Sequence, residues 1–370
     1  MKKMLVWGLN VILLVCVVGC ASRGVEQARE VLSASPTTAW SLRASSVEPI
    51  IDMSPAQKTL RLAGSAGTVL GTGVSAVVND KLRRQLRDAL DGYDAGLVFE
   101  ERLAARLTDV LGPNRVAPLG STAGYQDRRA AQEARFRHLG DTGYGAALDV
   151  KMTFGLFGPA GTLVAELDGA LYTVPKGHLR WSNTITVTPD PMLADTRLGN
   201  PRGGLLPDFG GNLVSIEGGA MSQWADDGGV RFRLAHEACV DAAVSALLCE
   251  LGFVQEAAGM YQLGLQTLHK KNFDEAAAYF RKALELDPAL LDAKNAWSVS
   301  EARAGRLEAA MDFARAILEI DPDYGPAHYN LGWWHAIDKR DIETARGHYE
   351  RALALGMPIS EKMEKALAGK

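Results

Sequence analysis

The feature that most constrains this chain is a period of 34 residues in its last third. Asp287-Pro288 and Asp321-Pro322 stand one period apart. Phe273-Asp274-Glu275-Ala276-Ala277 recurs as Leu307-Glu308-Ala309-Ala310-Met311, and Ala283-Leu284-Glu285-Leu286-Asp287 recurs as Ile317-Leu318-Glu319-Ile320-Asp321. A fixed period of this length is left by helical hairpins stacked side by side, each too small to bury its apolar face alone. The period therefore predicts an all-α solenoid for the C-terminal third.

In the first copy Leu263, Gly264, Ala276, Phe280, Ala283 and Pro288 stand at spacings with a mechanical reason. Gly264 and Ala276 are small enough for the two helices of a hairpin to approach closely. Leu263 and Phe280 fill the space beside that contact, and Pro288 cannot continue the helix before it. These residues resemble the signature of the tetratricopeptide repeat. The third copy keeps Leu331, Gly332, Ala345, Tyr349 and Ala352, with one extra residue near Lys339–Asp341, and ends Gly356-Met357-Pro358. The second copy departs from the signature, with Trp297 and Ser298 for the usual Leu and Gly, Ala314 for the aromatic and Ile317 for the small residue; Phe313 is positioned to supply the missing bulk. The reading is three repeats over 256–358 and a capping helix within 360–370, with Ser360 as N-cap and Glu361 in its first turn. In the family the first helix of each hairpin lines a concave protein-binding face. The resemblance thus implies a binding surface of Tyr261, Leu265, Asn295, Val299, Arg303, Tyr329 and Trp333. Aromatic and Arg side chains of this kind dominate interface energies. Only Asn295 and Arg303 echo the family's pocket for peptide carboxylates, so the ligand expected is an extended or helical apolar peptide. The alternative is that these aromatics pack against the closing helix or against the preceding domain.

At the other end, Lys2 and Lys3 precede an apolar run from Leu5 to Val18, followed by Val17-Val18-Gly19-Cys20. The run is short for a membrane span, which needs about 20 residues. The motif resembles the lipobox of bacterial lipoproteins, which implies a signal peptide over 1–19 and diacylation of the Cys20 thiol. Several acyl chains on one residue anchor stably. No Asp follows Cys20, which in that family favours the outer membrane, facing the periplasm. Residues 20–60, rich in Ser, Thr, Pro and charge, read as a tether with a short helix at Gly24–Ser33. Cys239 and Cys249 fall on one predicted helix, about 15 Å apart along its axis and too far for a disulfide; they read as small buried apolar residues.

Residues 61–94 form a Gly/Ala-rich segment and helix. Gly71-x-Gly73-x-x-Ala76 is a fragment of a dinucleotide fingerprint without the strand or the acidic residue that would support it. Gly67, Gly71 and Ser75 share one helical face, which suits close packing. Residues 95–252 read as an α/β domain. An amphipathic helix carries Leu103, Leu107 and Val110, Arg115–Leu119 is a short strand, and Arg128–Leu139 is a charged helix. Three alternating runs follow at 146–154, 163–174 and 179–187, separated by Pro/Gly turns, which predicts an antiparallel three-strand meander. After the Pro/Gly-rich excursion Pro189–Gly211, a long helix at Val230–Leu251 closes the domain. Phe99-Glu100-Glu101-Arg102-Leu103, Gly177-His178-Leu179-Arg180-Trp181-Ser182 and Trp224-Ala225-Asp226-Asp227-Gly228 resemble stretches of a lipoprotein group that includes the curli secretion channel subunit and the activators of penicillin-binding proteins. The group's apolar first strand is missing before Phe99.

With 47% hydrophobic residues, 23% charged and a net charge of −4, the chain has ordinary globular composition and no bias toward nucleic acid. His236-Glu237 begins like a zinc-protease helix, but position 240 is Val. His328 and His335 are about 10.5 Å apart along a helix, too far to share a metal. No nucleophile elbow or phosphate loop occurs, so no catalytic residue, cofactor or small-molecule substrate is expected. The expectation is a non-catalytic, membrane-anchored adaptor of the cell envelope that binds partner proteins through its repeats. The alternative is a structural or channel-forming subunit in which Leu62–Asn79 enters the membrane.

Overall fold

The computed structural model describes residues 24–34, 38–44, 50–51, 84–113, 116–119, 128–157, 161–196 and 223–369. The lipobox with Cys20, the Leu62–Asn79 segment and the excursion beyond Thr196 lie outside the described residues. Two layers follow one another: a mixed sheet with helices on both faces, then a run of paired helices.

Three long strands form the predicted meander. β4 (Ala146–Phe157) pairs antiparallel with β5 (Thr162–Thr173), and β5 with β6 (His178–Val187). The sheet continues on the other side of β4, where β1 (Thr38–Ala44) lies parallel to it, followed by β3 (Val116–Leu119). A two-residue β2 (Ile50–Ile51) meets the far end of β4 at Gly155 and Leu156. This corrects the reading of 20–60 as a tether. Residues 24–34 form helix α1, whose Ala28 and Leu32 are buried in the domain core, and β1 is an interior strand. The physical reason for the miss is compositional. Thr38–Ala44 carries only Trp40 and Leu42 as large apolar residues between polar flanks, so its strand character comes from pairing on both edges and not from its own pattern.

One face of the sheet presents Leu148, Val150, Met152, Phe154 and Leu156, which pack against Phe99, Leu103 and Leu107 of α3 (Ala95–Leu111); α2 occupies 84–89 before it. Asp94 caps α3 by accepting from the Leu97 N–H. The opposite face is covered by α4 (Arg128–Asp141), where Phe136 and Leu139 meet Ala147 and Arg135 forms a bidentate pair with Asp149 of β4.

Helix α5 (Val230–Glu250) decides how the two halves meet. Residues Ala243 through Cys249 are buried all round, although a surface helix would keep one polar face. One side packs on the sheet and the other on α6 (Ala257–His269), the first helix of the repeats. The helix ends at Gly252 in a left-handed turn at φ 77°, with the Phe253 N–H bonded to the Leu248 carbonyl. Arg29 of α1 donates to the Leu251 carbonyl and fills the space where a Cβ at Gly252 would sit. Leu263 of α6 belongs to the domain core, and Gln266 donates to Asn183 and to the Thr184 carbonyl of β6. The junction at 252–256 is therefore packed.

The hairpins are α6 with α7 (Phe273–Leu286), α8 (Leu291–Arg303) with α9 (Leu307–Ile320), and α10 (Gly325–Trp333) with α11 (Ile342–Ala354). Ala276, Phe280, Ala310, Ala314, Ala345 and Tyr349 are all buried, and a Cβ on Gly264 would stand 2.5 Å from the Phe280 ring. In the weaker second copy Trp297 lies against Phe313 with ring centroids 4.7 Å apart and the planes tilted by 33°, which fills the gap. The extra residue of the third copy is absorbed as a π-helical stretch, Trp334–Lys339, ended by Arg340 in the left-handed region. Helix α12 (Glu361–Leu367) is capped by Ser360 and buries Met363 and Leu367 on the last hairpin.

Candidate functional site

The first helices of the hairpins, α6, α8 and α10, lie side by side. Asn295 and Asn330 stand on neighbouring helices with no exposed surface, and the Asn330 amide donates to the Asn295 oxygen at 2.8 Å. A buried amide needs partners, since an unmet one costs about 1–3 kcal/mol. Here the partners belong to the main chain of Met192–Thr196, the start of the excursion after β6. Asn295 donates to the Met192 carbonyl at 2.8 Å, and Asn330 accepts from the Ala194 N–H at 2.6 Å while its NH2 group reaches the Met192 carbonyl at 3.4 Å. Arg303 donates to the Ala194 and Thr196 carbonyls at 2.7 and 2.8 Å.

The bound segment is a tight turn. The Thr196 N–H returns to the Leu193 carbonyl and the Leu193 N–H to the Thr196 hydroxyl, each at 3.0 Å. Such a closure is a β-turn with Ala194 and Asp195 at its corner. One side chain of the turn is read: the Asp195 carboxylate accepts from the Tyr329 hydroxyl at 2.8 Å, with the Ser360 hydroxyl at 3.4 Å. Burial, and after it the Asp195 charge, raises the Tyr329 phenol above its ordinary pKa, so it stays a donor. Met192, Leu193 and Ala194 join Leu265, Val299, Tyr329 and Trp333 in one apolar cluster.

Each residue expected at a binding surface therefore has a place. Asn295, Arg303 and Tyr329 hold the turn. Leu265, Val299 and Trp333 belong to the apolar cluster, Trp333 with the Lys362 ammonium 4.7 Å from its ring centre. Tyr261 is half-buried against Phe280. Arg303 is the exposed one of the seven. Asn330, Ser360 as a contact to Asp195, and the turn itself were missed. Asn330 had a local signal, an amide set between Tyr329 and Leu331 on a helix that a solenoid must bury. The turn had none.

Removing only the Tyr329 hydroxyl, by Tyr329→Phe, is expected to lower stability by about 1.5–3 kcal/mol, since the bond lost is to a charged acceptor. Urea denaturation checks this, and an unchanged midpoint would mean that water replaces the hydroxyl without loss.

Other buried titratable groups lie in the α/β domain. His236 is fully buried among Phe154, Phe232 and Tyr93. Cys239 and Cys249 are buried free thiols, and burial pushes the Cys239 pKa up to about 12, which leaves it inert. The Glu250 carboxylate accepts from Trp181 and Asn183 and ties β6 to α5; burial raises its pKa and those two bonds oppose the shift.

The sequence profile of the tetratricopeptide repeat matches residues 257–290, which span the first hairpin, α6 and α7. No curated protein matches the chain. The fold is an α/β domain followed by a run of packed helical hairpins consistent with a tetratricopeptide-repeat solenoid, the first hairpin matching the repeat itself. Protein–protein interaction is the function such repeats indicate.

Proposed function

We propose that this protein is a non-catalytic scaffold of the bacterial cell envelope, anchored by lipid on Cys20, whose repeats hold partner proteins. The observation that carries the scaffold reading is the Asn295–Asn330 pair. Two fully buried amides aimed at main-chain groups form a groove suited to gripping a polypeptide by its backbone. The envelope placement rests on the sequence alone, on Lys2-Lys3, the apolar run and Val17-Val18-Gly19-Cys20. The likeness of the α/β domain to the curli and penicillin-binding-protein-activator lipoproteins supports partners in cell-wall synthesis or secretion.

Two measurements test the two parts separately. Cys20→Ala is expected to remove the acyl label and move the chain out of the membrane fraction. Unchanged membrane association, with no acyl label on the natural chain, would overturn the anchor. For the scaffold, cross-linking in cells followed by mass spectrometry is expected to join residues within 257–367 to another envelope protein reproducibly. Cross-links confined to the chain itself would overturn it.

A further inference from the structure

We infer that the Met192–Thr196 turn is a resident stand-in for the partner. The groove takes, in its place, a partner loop of the same chemistry: a β-turn of two apolar residues, a small residue and an aspartate or glutamate. The inference rests on the scaffold reading above and adds to it what the partner looks like and what keeps the groove closed.

The chemistry of the contact carries the argument. Among the described residues, five of the seven hydrogen bonds to the turn link Asn295, Asn330 and Arg303 with main-chain atoms. Bonds to backbone accept any chain of the right shape, so this part of the groove selects conformation and not sequence. Selection by side chain comes from two other features. The Tyr329 and Ser360 hydroxyls converge on one carboxylate oxygen of Asp195, which favours an acidic residue at that corner of the turn. Ala194 is 6% exposed with its N–H held by Asn330, so the corner before it admits only a small side chain. Met192 and Leu193 supply the apolar part against the face that carries Leu265, Val299 and Trp333. Apolar residues in place of the amides would leave the Met192 carbonyl and the Ala194 N–H buried without partners. Fully satisfied buried amides instead specify one geometry.

Tethering gives the resident turn a high effective concentration, so a free competitor meets a closed groove until the turn is weakened. The test uses the full chain and a fluorescein-labelled peptide of residues 188–196, measured by fluorescence anisotropy. In the triple variant Met192→Ser, Leu193→Ser, Asp195→Ser the peptide is expected to bind at least about 10-fold tighter than to the natural chain. Asp195→Lys in the peptide should abolish the gain. Should the triple variant fail to fold, Asp195→Ala, which deletes only the two hydroxyl contacts, should still give a several-fold gain. Equal peptide affinity in natural and variant chains that melt alike would overturn the inference and make the turn a permanent strut. In that outcome, partner cross-links to 257–367 in cells would leave the scaffold reading standing, whereas their absence with peptide binding intact would remove the scaffold and keep the groove.

Discussion

Gly259→Val is expected to cost the folded state about 2–3 kcal/mol and to separate the melting of the repeats from that of the α/β domain. Gly259 lies on the side of α6 that rides on α5. A Cβ there would stand 2.5 Å from the Cys249 sulfur, 2.7 Å from the Ser245 carbonyl oxygen and 2.8 Å from the Ser245 hydroxyl. The carbonyl belongs to helix backbone and cannot step aside, so the helices must part. Overpacking of this kind costs about 1–3 kcal/mol per site, and valine adds two further methyl groups, while the better helix propensity returns only about 0.5 kcal/mol. Parting α5 from α6 also disturbs the nearby Arg106–Glu256 pair and the Ser245–Glu256 bond. The control is Gly347→Ala on α11, where a Cβ would meet nothing within 4 Å. That exposed helical site should gain up to about 1 kcal/mol. Urea titration followed by circular dichroism and tryptophan fluorescence reads both. A Gly259→Val chain with one unshifted transition would mean that the first repeat does not ride on α5.

Acid should weaken the domain through His236. The ring stacks on Phe232, meets Phe154 edge-on and is bonded at Nδ1 to the Tyr93 hydroxyl, while its Nε2 has no partner. Burial lowers its pKa from 6.5 to about 4, because the charged imidazolium has no water to solvate it. The sign follows from linkage. Between those two values the unfolded chain binds a proton that the folded chain refuses. The stabilisation is therefore complete above pH 6.5 and lost as pH falls toward 4, by about 3 kcal/mol in all. His348 moves the same way, also to about 4, through burial and then the neighbouring His328 and His335. It is only half-buried, and its share is correspondingly smaller. His236→Phe keeps the aromatic packing and removes the titrating group. Stability measured at pH 7 and at pH 4.5 should show the natural chain losing about 2–3 kcal/mol more than the variant over that interval. Equal losses would place the acid sensitivity elsewhere.

What could be read from the sequence were the features written in local spacing. The 34-residue period announced hairpins, and Leu263, Gly264, Ala276 and Phe280 named the contacts inside the first of them. Alternation over 146–187 announced the meander, and Ser360 announced the last cap. Each rests on residues within one or two turns or strands of each other, where periodicity and steric size suffice. The first helix faces of the repeats were readable for the same reason. What those faces touch was not. Whether Asn295 and Tyr329 meet a partner or the chain itself depends on Met192 and Asp195, 103 and 134 positions away. Nothing in Met192-Leu193-Ala194-Asp195-Thr196 marks it as a ligand before the sheet has set the end of β6 beside the solenoid. The same holds for β1, whose place between β3 and β4 comes from hydrogen bonds on both edges. It holds too for α5, whose stretch Ala243–Cys249 is buried all round because the sheet lies on one side and the repeats on the other. Local pattern determined which elements form, because that is settled by each segment's own backbone and apolar face. Tertiary structure decided that the groove is filled, because buried amides and carbonyls take whatever partner the fold brings within bonding distance.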